Sequence, residues 1–319
     1  MKVSVIIPCY KSELFLEKTF HEVEASLKDT IHEIILVNDY SPDGTYEVIK
    51  KIVNENENVT GINMAKNFGQ HAALMAGFAH ASGDIVLCMD DDGQTPACEI
   101  HKLLDSLDDN TDVVYAKYKV KKHVWYKNIG SYLNSKMTEW MLDKPKELYI
   151  SSFFVARKYV VEEILKYNHS FPYVIGLVLR TTGNIKNVAV EHRERETGHS
   201  GYSVFKLVSL WMNGFTAFSV KPLRVADLLG LVTAVIGFGY MLFLIIRRLA
   251  IGYSAVMGWN SLISIILFIG GLLMMIMGMA GEYIGRTYLS INNAPQYVIR
   301  EVCTKTEDGK YESSFQTIH

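Results

Sequence analysis

Short apolar runs alternate with longer amphipathic stretches through the N-terminal part of the chain. Runs that are rich in Val and Ile and bounded by polar residues are typical of buried β-strands. The predicted strands are Val3–Pro8, Glu33–Val37, Val59–Met64, Asp84–Met89 and Val113–Tyr115. Apolar residues at helical spacing lie between these runs and predict the helices Glu13–Leu27, Tyr46–Asn54, Gln70–His80 and Cys98–Leu107.

This alternation of strands and helices predicts an α/β fold, with a mostly parallel sheet that helices cover on both faces. In open sheets of this kind, ligands bind beyond the carboxyl ends of the strands. We therefore expect the functional side chains to lie directly after the predicted strands.

The pattern changes beyond Leu223, where two long apolar stretches follow each other. Leu228–Ile246 contains 19 residues without a charge, and Ser261–Gly281 contains 21. A helix of either length extends about 30 Å, the thickness of the hydrocarbon core of a bilayer. We predict two transmembrane helices. The alternative, a pair of buried core helices, is disfavoured because uncharged stretches of this length are rare in soluble domains.

The segments that flank the apolar stretches divide the chain further. Tyr202–Phe218 is rich in aromatic and apolar residues and predicts either an amphipathic helix at the membrane surface or an ordinary core-facing helix. The residues after Val302 are polar and predict a loose tail. The predicted regions are an α/β domain at 1–200, a juxtamembrane segment at 201–224, a two-helix transmembrane domain at 225–284 and a tail at 285–319.

The charge balance and the cysteines restrict the function and the compartment. The chain carries 32 basic and 34 acidic residues, a net charge of −2, which argues against nucleic-acid binding. The four cysteines are scattered without a CxxC pair, as expected for reduced thiols in the cytosol. The first apolar run ends at Pro8 and is too short for a signal peptide. These observations predict a cytosolic N-terminal domain.

Three consecutive acids follow the fourth predicted strand, in the sequence MDDDGQ at residues 89–94. Strand alternation places Asp90 and Asp92 on the same side, where two carboxylates suit a hard cation such as Mg²⁺ or Mn²⁺ that in turn binds a diphosphate. Carboxylates this close repel each other unless a cation is present. The structural alternative is an acidic turn that caps the next helix, although Thr95 already supplies such a cap.

Other polar residues follow the first and second strands. Asp39 follows the second strand and can accept a hydrogen bond from a ring N–H of a nucleobase. Tyr10 closes the first strand at the same edge and either stacks on a base or packs within the protein. Asp43 lies in a Pro-Asp-Gly sequence, for which a structural role in a turn is the better interpretation.

Several segments together resemble the family 2 glycosyltransferases of the GT-A fold, in particular those that act on polyprenyl phosphates. The shared segments are VSVIIPCYKSE, EIILVNDYSPDGT, AKNFGQHAALMAGF and MDDDGQTP, in this order. HRERETGHSGYS resembles the R-x-x-G-x-S-K-Y motif of the polyprenyl-phosphate enzymes, and the apolar segment from Gly258 to Tyr288 resembles the second span of bactoprenol glucosyltransferases. Dolichol-phosphate mannose synthases are similar as well. The resemblance extends from Val3 to about Glu301.

The resemblance implies roles for individual residues. The nucleotide of a nucleotide-sugar would be contacted by Pro8, Tyr10, Val37 and Asp39. The metal and diphosphate site, with Mg²⁺ or Mn²⁺ as the cofactor, would consist of Asp90, Asp92 and Gln94. The phosphate of the acceptor would be bound by Arg195 and Ser200, with Arg193 as a further candidate. The catalytic residues would be Asp90, Asp92 and Arg195.

The sequence departs from the family pattern at several positions. Gly201 stands where the family usually has lysine, and Phe154 stands where many relatives carry an arginine for the acceptor phosphate. Ser12 replaces a frequent glutamate, although Glu13 is adjacent. Asp91 occupies a position that is more often Ala or Val, and Gly93 a position that is more often Leu.

The function implied is inverting transfer of a sugar, with UDP-hexose as the expected donor, to polyprenyl (undecaprenyl) phosphate. The enzyme would lie in the inner (plasma) membrane with two spans, a cytosolic catalytic domain and a homo-oligomeric assembly as in relatives. A lipid phosphate is already a nucleophile, so no general base is expected. The alternatives are a non-catalytic membrane scaffold on a decayed transferase fold and a polysaccharide synthase. The synthase is disfavoured because the QxxRW motif is missing from the sequence.

Overall fold

The computed structural model describes residues 1–118, 139, 144–191, 193, 221–251, 259–292, 294–305 and 311–314. The chain forms two compact units. One comprises Met1–Tyr202 together with Asn293–His319, and the other comprises Ser203–Asn292. Tyr202–Phe218, which predicted an amphipathic segment, lies outside the described residues, as do Arg195 and Ser200.

The first unit is built on a nine-stranded sheet with the order β7-β5-β6-β4-β1-β2-β3-β8-β9. The strands are β1 Val3–Cys9, β2 His32–Asn38, β3 Val59–Met64, β4 Ile85–Cys88, β5 Val113–Tyr118, β6 Phe154–Arg157, β7 Ile185–Val190, β8 Ile299–Lys305 and β9 Tyr311–Ser314. The helices of this unit are α1 Leu16–Leu27, α2 Thr45–Glu55, α3 Gln70–Phe78, α4 Ile100–Asp105, α5 Lys158–Leu165 and α6 Val174–Thr181.

Seven of the nine described strands run in the same direction. β1 pairs in parallel with β2 and β4, β2 with β3, and β5 with β7. Only β6 and β8 run against this direction among the described strands. The predicted mostly parallel α/β sheet is therefore confirmed, and the carboxyl ends of β1, β2 and β4 meet at one edge.

The buried residues explain why these segments form a sheet covered by helices. Val and Ile side chains of β1 and β2 are almost completely shielded from solvent on both faces, as the continuous apolar runs predict. Helix α2 buries Ile49, Ile52 and Val53, which recur at helical spacing, in the same core. The polar faces of the helices remain in solvent.

The C-terminal residues join the same sheet. β8 pairs antiparallel with β3, from Thr60 opposite Thr304 to Met64 opposite Ile299, and β9 pairs with β8. The prediction of a loose tail after Val302 is therefore wrong for residues 303–305 and 311–314. Cys303 is fully buried, and its thiol donates to the carbonyl of Gly61 at 3.4 Å. The segment is polar in composition, but it forms a strand because β8 pairs with the edge of β3 and buries apolar residues there.

In its described residues, the second unit contains two long helices, α7 Lys221–Ile251 and α8 Trp259–Ile291. Many of their large apolar side chains are exposed, among them Leu231, Ile236, Phe268 and Met274. In the part of the chain that the structure describes, one stretch is identified as long and apolar enough to cross a membrane, Phe268–Gly285, with a mean hydropathy of 1.5. The other predicted span lies on α7, and the count of two spans stays a prediction.

Candidate active site at the carboxyl edge of the sheet

Asp90 lies in the loop after β4 and is held by residues from two other elements. Its Oδ1 accepts a hydrogen bond of 2.9 Å from Nε2 of Gln70, the first residue of α3. Its Oδ2 accepts one from Oγ of Ser152, shortly before β6. The side chain is half-buried, so one face of the carboxylate is supported by the protein while the residue still reaches solvent.

Asp92 lies two residues after Asp90 in the same loop. Its Oδ1 accepts a bond of 3.1 Å from the backbone N–H of Gln94. Burial raises the pKa of Tyr118 to about 12, and the negative charges of both Asp90 and Asp92 contribute to the rise. The hydroxyl of Tyr118 lies 3.0 Å from Oγ1 of Thr95.

Asp91 points away from its two acidic neighbours. Its Oδ2 accepts a hydrogen bond of 3.1 Å from the backbone N–H of Tyr10 and another from Oγ of Ser12. Burial raises the pKa of Asp91 to about 6, with a further rise from the charges of Asp90 and Asp92, while the two hydrogen bonds act in the opposite direction. The carboxylate of Asp91 therefore lies against the loop that follows β1.

Gly93 allows the acidic loop to turn back. Its φ of +66° lies in the left-handed region, which side chains with a Cβ rarely adopt. A leucine at this position, as in the family pattern, would be strained in the present conformation. Asp91 and Gly93 therefore depart from the family pattern in the same loop. The conformation of this loop depends on the contacts of Asp91 and on the positive φ of Gly93.

Asp39 is almost completely buried at the end of β2. Its Oδ1 accepts a bond of 2.8 Å from N–H of Phe68, and its Oδ2 accepts one of 2.9 Å from N–H of Gly69. Burial raises the pKa of Asp39, against the effect of these two bonds. The carboxylate therefore fixes the loop between β3 and α3, and its contact with a nucleobase stays a prediction.

The other predicted nucleotide contacts differ in their exposure. Tyr10 is 47% exposed at the end of β1, where a ring is able to meet a ligand. Pro8 pairs with Val37 between β1 and β2 and is half-buried. Val37 is fully buried in the sheet between Pro8 and Ile62, and its contact with a nucleotide stays a prediction.

Arg193 contacts the acidic loop through its backbone. Its backbone N–H donates to the carbonyl of Gln94 at 2.8 Å. Its guanidinium Nη1 lies 3.0 Å from both carboxylate oxygens of Glu22 on α1. The predicted contact of Arg193 with an acceptor phosphate would therefore compete with this ion pair.

The acidic loop suits a divalent cation that shares its coordination with a ligand. Among the residues that the structure describes, no group of three or more His, Cys, Asp and Glu side chains surrounds a common point. Asp90 and Asp92 would supply two hard oxygen ligands, and the remaining positions of a Mg²⁺ or Mn²⁺ ion are commonly filled by phosphate oxygens and water. Carboxylate chemistry suits such an ion, and the predicted metal site stays a prediction.

Sequence reasoning did not identify Gln70 and Ser152 as partners of Asp90. Gln70 lies in the segment AKNFGQHAALMAGF, which the family comparison singled out only as a whole. Ser152 precedes β6, a strand of four residues that the hydrophobic pattern did not predict. Both contacts depend on tertiary placement, since 20 and 62 positions of sequence separate these residues from Asp90.

A sequence profile described as glycosyl transferase family 2 matches residues 4–165, which include the acidic loop and Asp39. The chain belongs to this family. It is 32% identical over 94% of its length to the undecaprenyl-phosphate 4-deoxy-4-formamido-L-arabinose transferase of Proteus mirabilis, 94% of which is covered. The enzyme of the same name from an Enterobacter species is 29% identical over 95% of this chain and 94% of that protein.

Solved structures support the fold of this family 2 member. Glucosyl-3-phosphoglycerate synthase from Mycobacterium tuberculosis, in complex with Mn²⁺, UDP-glucose and phosphoglyceric acid, superimposes with a TM-score of 0.53 at 17% identity. The match covers 67% of this chain and 77% of that protein. At this identity the likeness concerns the fold, which is the GT-A-like α/β sheet.

Proposed function

We propose that this protein transfers a sugar, with inversion, from a nucleotide-sugar to polyprenyl phosphate at the membrane surface. The observation that carries the proposal is similarity over nearly the whole chain to two undecaprenyl-phosphate sugar transferases. The match includes the apolar helices as well as the sheet domain. Undecaprenyl phosphate is the proposed acceptor.

The donor is proposed to bind at the carboxyl edge of β1, β2 and β4. Tyr10 offers an exposed ring for a base, and Asp39 orders the loop 67–69 beside it. The diphosphate would lie against Asp90, Asp92 and Gln94. A divalent cation held by Asp90 and Asp92 would supply positive charge to the departing nucleoside diphosphate. A structural relative that binds Mn²⁺ with UDP-glucose supports this placement.

The acceptor side needs positive charge and no base. The phosphate of a lipid monoester is largely dianionic near neutral pH, with a second pKa of about 6, and attacks the anomeric carbon directly. Arg195 and Ser200 are proposed to position this phosphate, and Arg193 joins them if its ion pair with Glu22 opens. Direct displacement converts an α-linked donor into a β-linked lipid phosphate. The work of the protein is to bring two anions together.

We further propose that the protein spans the membrane twice. The apolar stretch on α8 supports one crossing. β8 follows α8 in the chain and pairs with β3, so the residues before α7 and after α8 belong to one sheet on one side of the bilayer. A chain that leaves a domain and returns to it crosses the bilayer an even number of times. Leu228–Ile246 on α7 is uncharged and supplies the second crossing.

The assay that tests the function incubates purified protein, Mg²⁺ and undecaprenyl phosphate with separate nucleotide-sugars and measures the sugar in the lipid fraction. UDP-glucose is the first donor, and the formamido-arabinose donor of the named relatives is the second. Asp92→Ala is expected to lower transfer by at least about 100-fold, because the electrostatic stabilisation of the leaving group is lost. Asp109→Ala, which removes an exposed acid outside the site, is the matched control.

The outcome that contradicts the proposal is equally concrete. If the Asp92 variant transfers sugar as fast as the Asp109 variant, the acidic loop does not serve the donor. If no donor labels the lipid while the protein is folded and bound to the membrane, the transferase assignment to polyprenyl phosphate is wrong.

A further inference from the structure

The three acids of the loop 90–92 differ in the parts of the protein that they contact. Asp90 and Asp92 face the proposed donor site, whereas the carboxylate of Asp91 turns to the loop that follows β1. Its Oδ2 accepts bonds from the backbone N–H of Tyr10 at 3.1 Å and from Oγ of Ser12. The backbone carbonyl of Asp91 also accepts a bond of 3.0 Å from Oγ1 of Thr19 on α1. Asp91 therefore connects the acidic loop to the start of α1.

Ser12 is fully buried and joins three elements. Its backbone N–H donates to Oγ1 of Thr45, the first residue of α2, at 2.9 Å. Its carbonyl accepts the N–H of Phe15 at 3.1 Å and of Leu16 at 2.9 Å, where α1 begins. A contact between Asp91 and Ser12 consequently fixes the acidic loop against the amino-terminal ends of both helices.

The backbone between β1 and α1 has a strained conformation that hydrogen bonds stabilise. Lys11 has a φ of +59°, a conformation that costs a residue with a Cβ about 1–2 kcal/mol. Its N–H donates to Oγ of Ser41 at 2.7 Å, and the N–H of the preceding Tyr10 is held by Asp91. Without Asp91, the N–H of Tyr10 loses the partner that orients this exposed ring.

The neighbouring acid on the loop after β1 has another partner. Oε2 of Glu13 accepts the N–H of Gly44 at 3.0 Å, at the start of α2. The carboxylate that accepts bonds from the N–H of Tyr10 and the hydroxyl of Ser12 therefore comes from the acidic loop.

We propose that Asp91 is a positioning residue that, from the loop after β4, holds the backbone of Tyr10 and the side chain of Ser12. In this arrangement Asp91 holds Tyr10 in place for the base of the donor nucleotide. The proposal rests on the proposed function for the identity of the donor. It assigns to Asp91 no contact with the reacting atoms.

The test substitutes Asp91 in the full-length protein. Asp91→Ala is expected to weaken the binding of UDP, measured by calorimetry without acceptor, by about tenfold, because a buried charge-assisted hydrogen bond is lost. The KM for the donor rises by a similar factor, while kcat changes less. Asp91→Asn keeps an oxygen acceptor for the N–H of Tyr10 and is expected to bind UDP within about threefold of the original protein. Asp109→Ala, which removes an exposed acid outside the site, is the matched control.

Each outcome is decisive. Undiminished UDP affinity in a folded Asp91→Ala protein overturns the proposal, and a loss in Asp91→Asn as large as that in Asp91→Ala contradicts a positioning role. If Asp91→Ala does not fold, a loss of about tenfold in Asp91→Asn contradicts the proposal. GDP is the second probe. A protein that binds UDP or GDP but transfers no sugar to lipid contradicts the proposed function alone, and one that binds neither contradicts both.

Discussion

Gly69 has a conformation that only glycine adopts readily. Its φ is +90° and its ψ is 162°, while an added Cβ would meet no atom within 4 Å. The N–H of Gly69 donates to Oδ2 of the buried Asp39, so this conformation supplies the second of the two backbone bonds that the carboxylate accepts. The constraint at position 69 is therefore one of backbone conformation and not of space.

Gly69→Ala is expected to destabilise the fold by about 1–3 kcal/mol and to weaken UDP binding, because the loop 67–69 shifts away from Asp39. Gly183→Ala is the matched control, since an added Cβ there also meets nothing within 4 Å and its φ is not positive in this range. Thermal unfolding and calorimetry of both variants measure the two effects. Equal behaviour of the two alanine variants would contradict the argument.

At the scale of elements, Glu33 fastens β2 to β1 and to the turn before β4, at the edge opposite the proposed site. It accepts bonds from Nζ of Lys2 at 2.6 Å, from Oγ of Ser4 at 2.5 Å, and from both N–H and Oγ of Ser82 at 2.7 Å. Burial alone would raise the pKa of Glu33, but the bonds from Lys2, Ser4 and Ser82 outweigh it and lower the pKa to about 2.

Glu33→Gln is expected to lower the free energy of unfolding at pH 7 by about 1–2 kcal/mol, a value reduced for the partial exposure of Lys2. The pKa of Glu33 is lower in the folded state, so its charge stabilises the fold above the unfolded pKa of about 4.3, and this stabilisation is lost as the pH falls towards 2. Urea unfolding at several pH values measures the difference. Glu47→Gln removes a carboxylate from an exposed pair with Lys50 and serves as control. A difference that grows below pH 4 would contradict the assignment.

The elements also show how far the hydrophobic pattern predicts the fold. The strands β1 to β5 and the helices between them lie where Val, Ile and helical spacing place them, because each buries its own apolar residues. β8 was missed although Ile299 and Val302 are buried, because charged residues stand between them and the strand needs the edge of β3 as partner. β6 has four residues, too few for a pattern.

The same limit applies to the candidate site. Alternation along the chain predicts Asp90 and Asp92 on one side, and this arrangement depends only on neighbouring residues. The partners of Asp91 are about 80 positions away, and no local pattern identifies them. The sequence predicts that Asp39 contacts a nucleobase. In the structure, both of its carboxylate oxygens accept bonds from backbone N–H groups of the loop after β3, which the local pattern does not indicate.

For the whole molecule, the proposal of two crossings predicts the side on which each cysteine reacts. Ser254→Cys places a thiol between α7 and α8, which we expect to react with a membrane-impermeant maleimide in sealed right-side-out vesicles. The native Cys98 is exposed on the sheet domain and is expected to react only after the vesicles are opened. Cys9, Cys88 and Cys303 are buried and provide the unreactive background. Reaction at position 254 only in opened vesicles would contradict two crossings.

The pairing of β8 with β3 has a consequence for biosynthesis. The ribosome produces β3 early and β8 only after all of α7 and α8, so the outer edge of β3 lacks its neighbour until both helices have been synthesised. An unpaired strand edge is a site at which chains associate wrongly. With two crossings as proposed, completion of the sheet would depend on insertion, and a nascent chain that stalls at the translocon would keep this edge open.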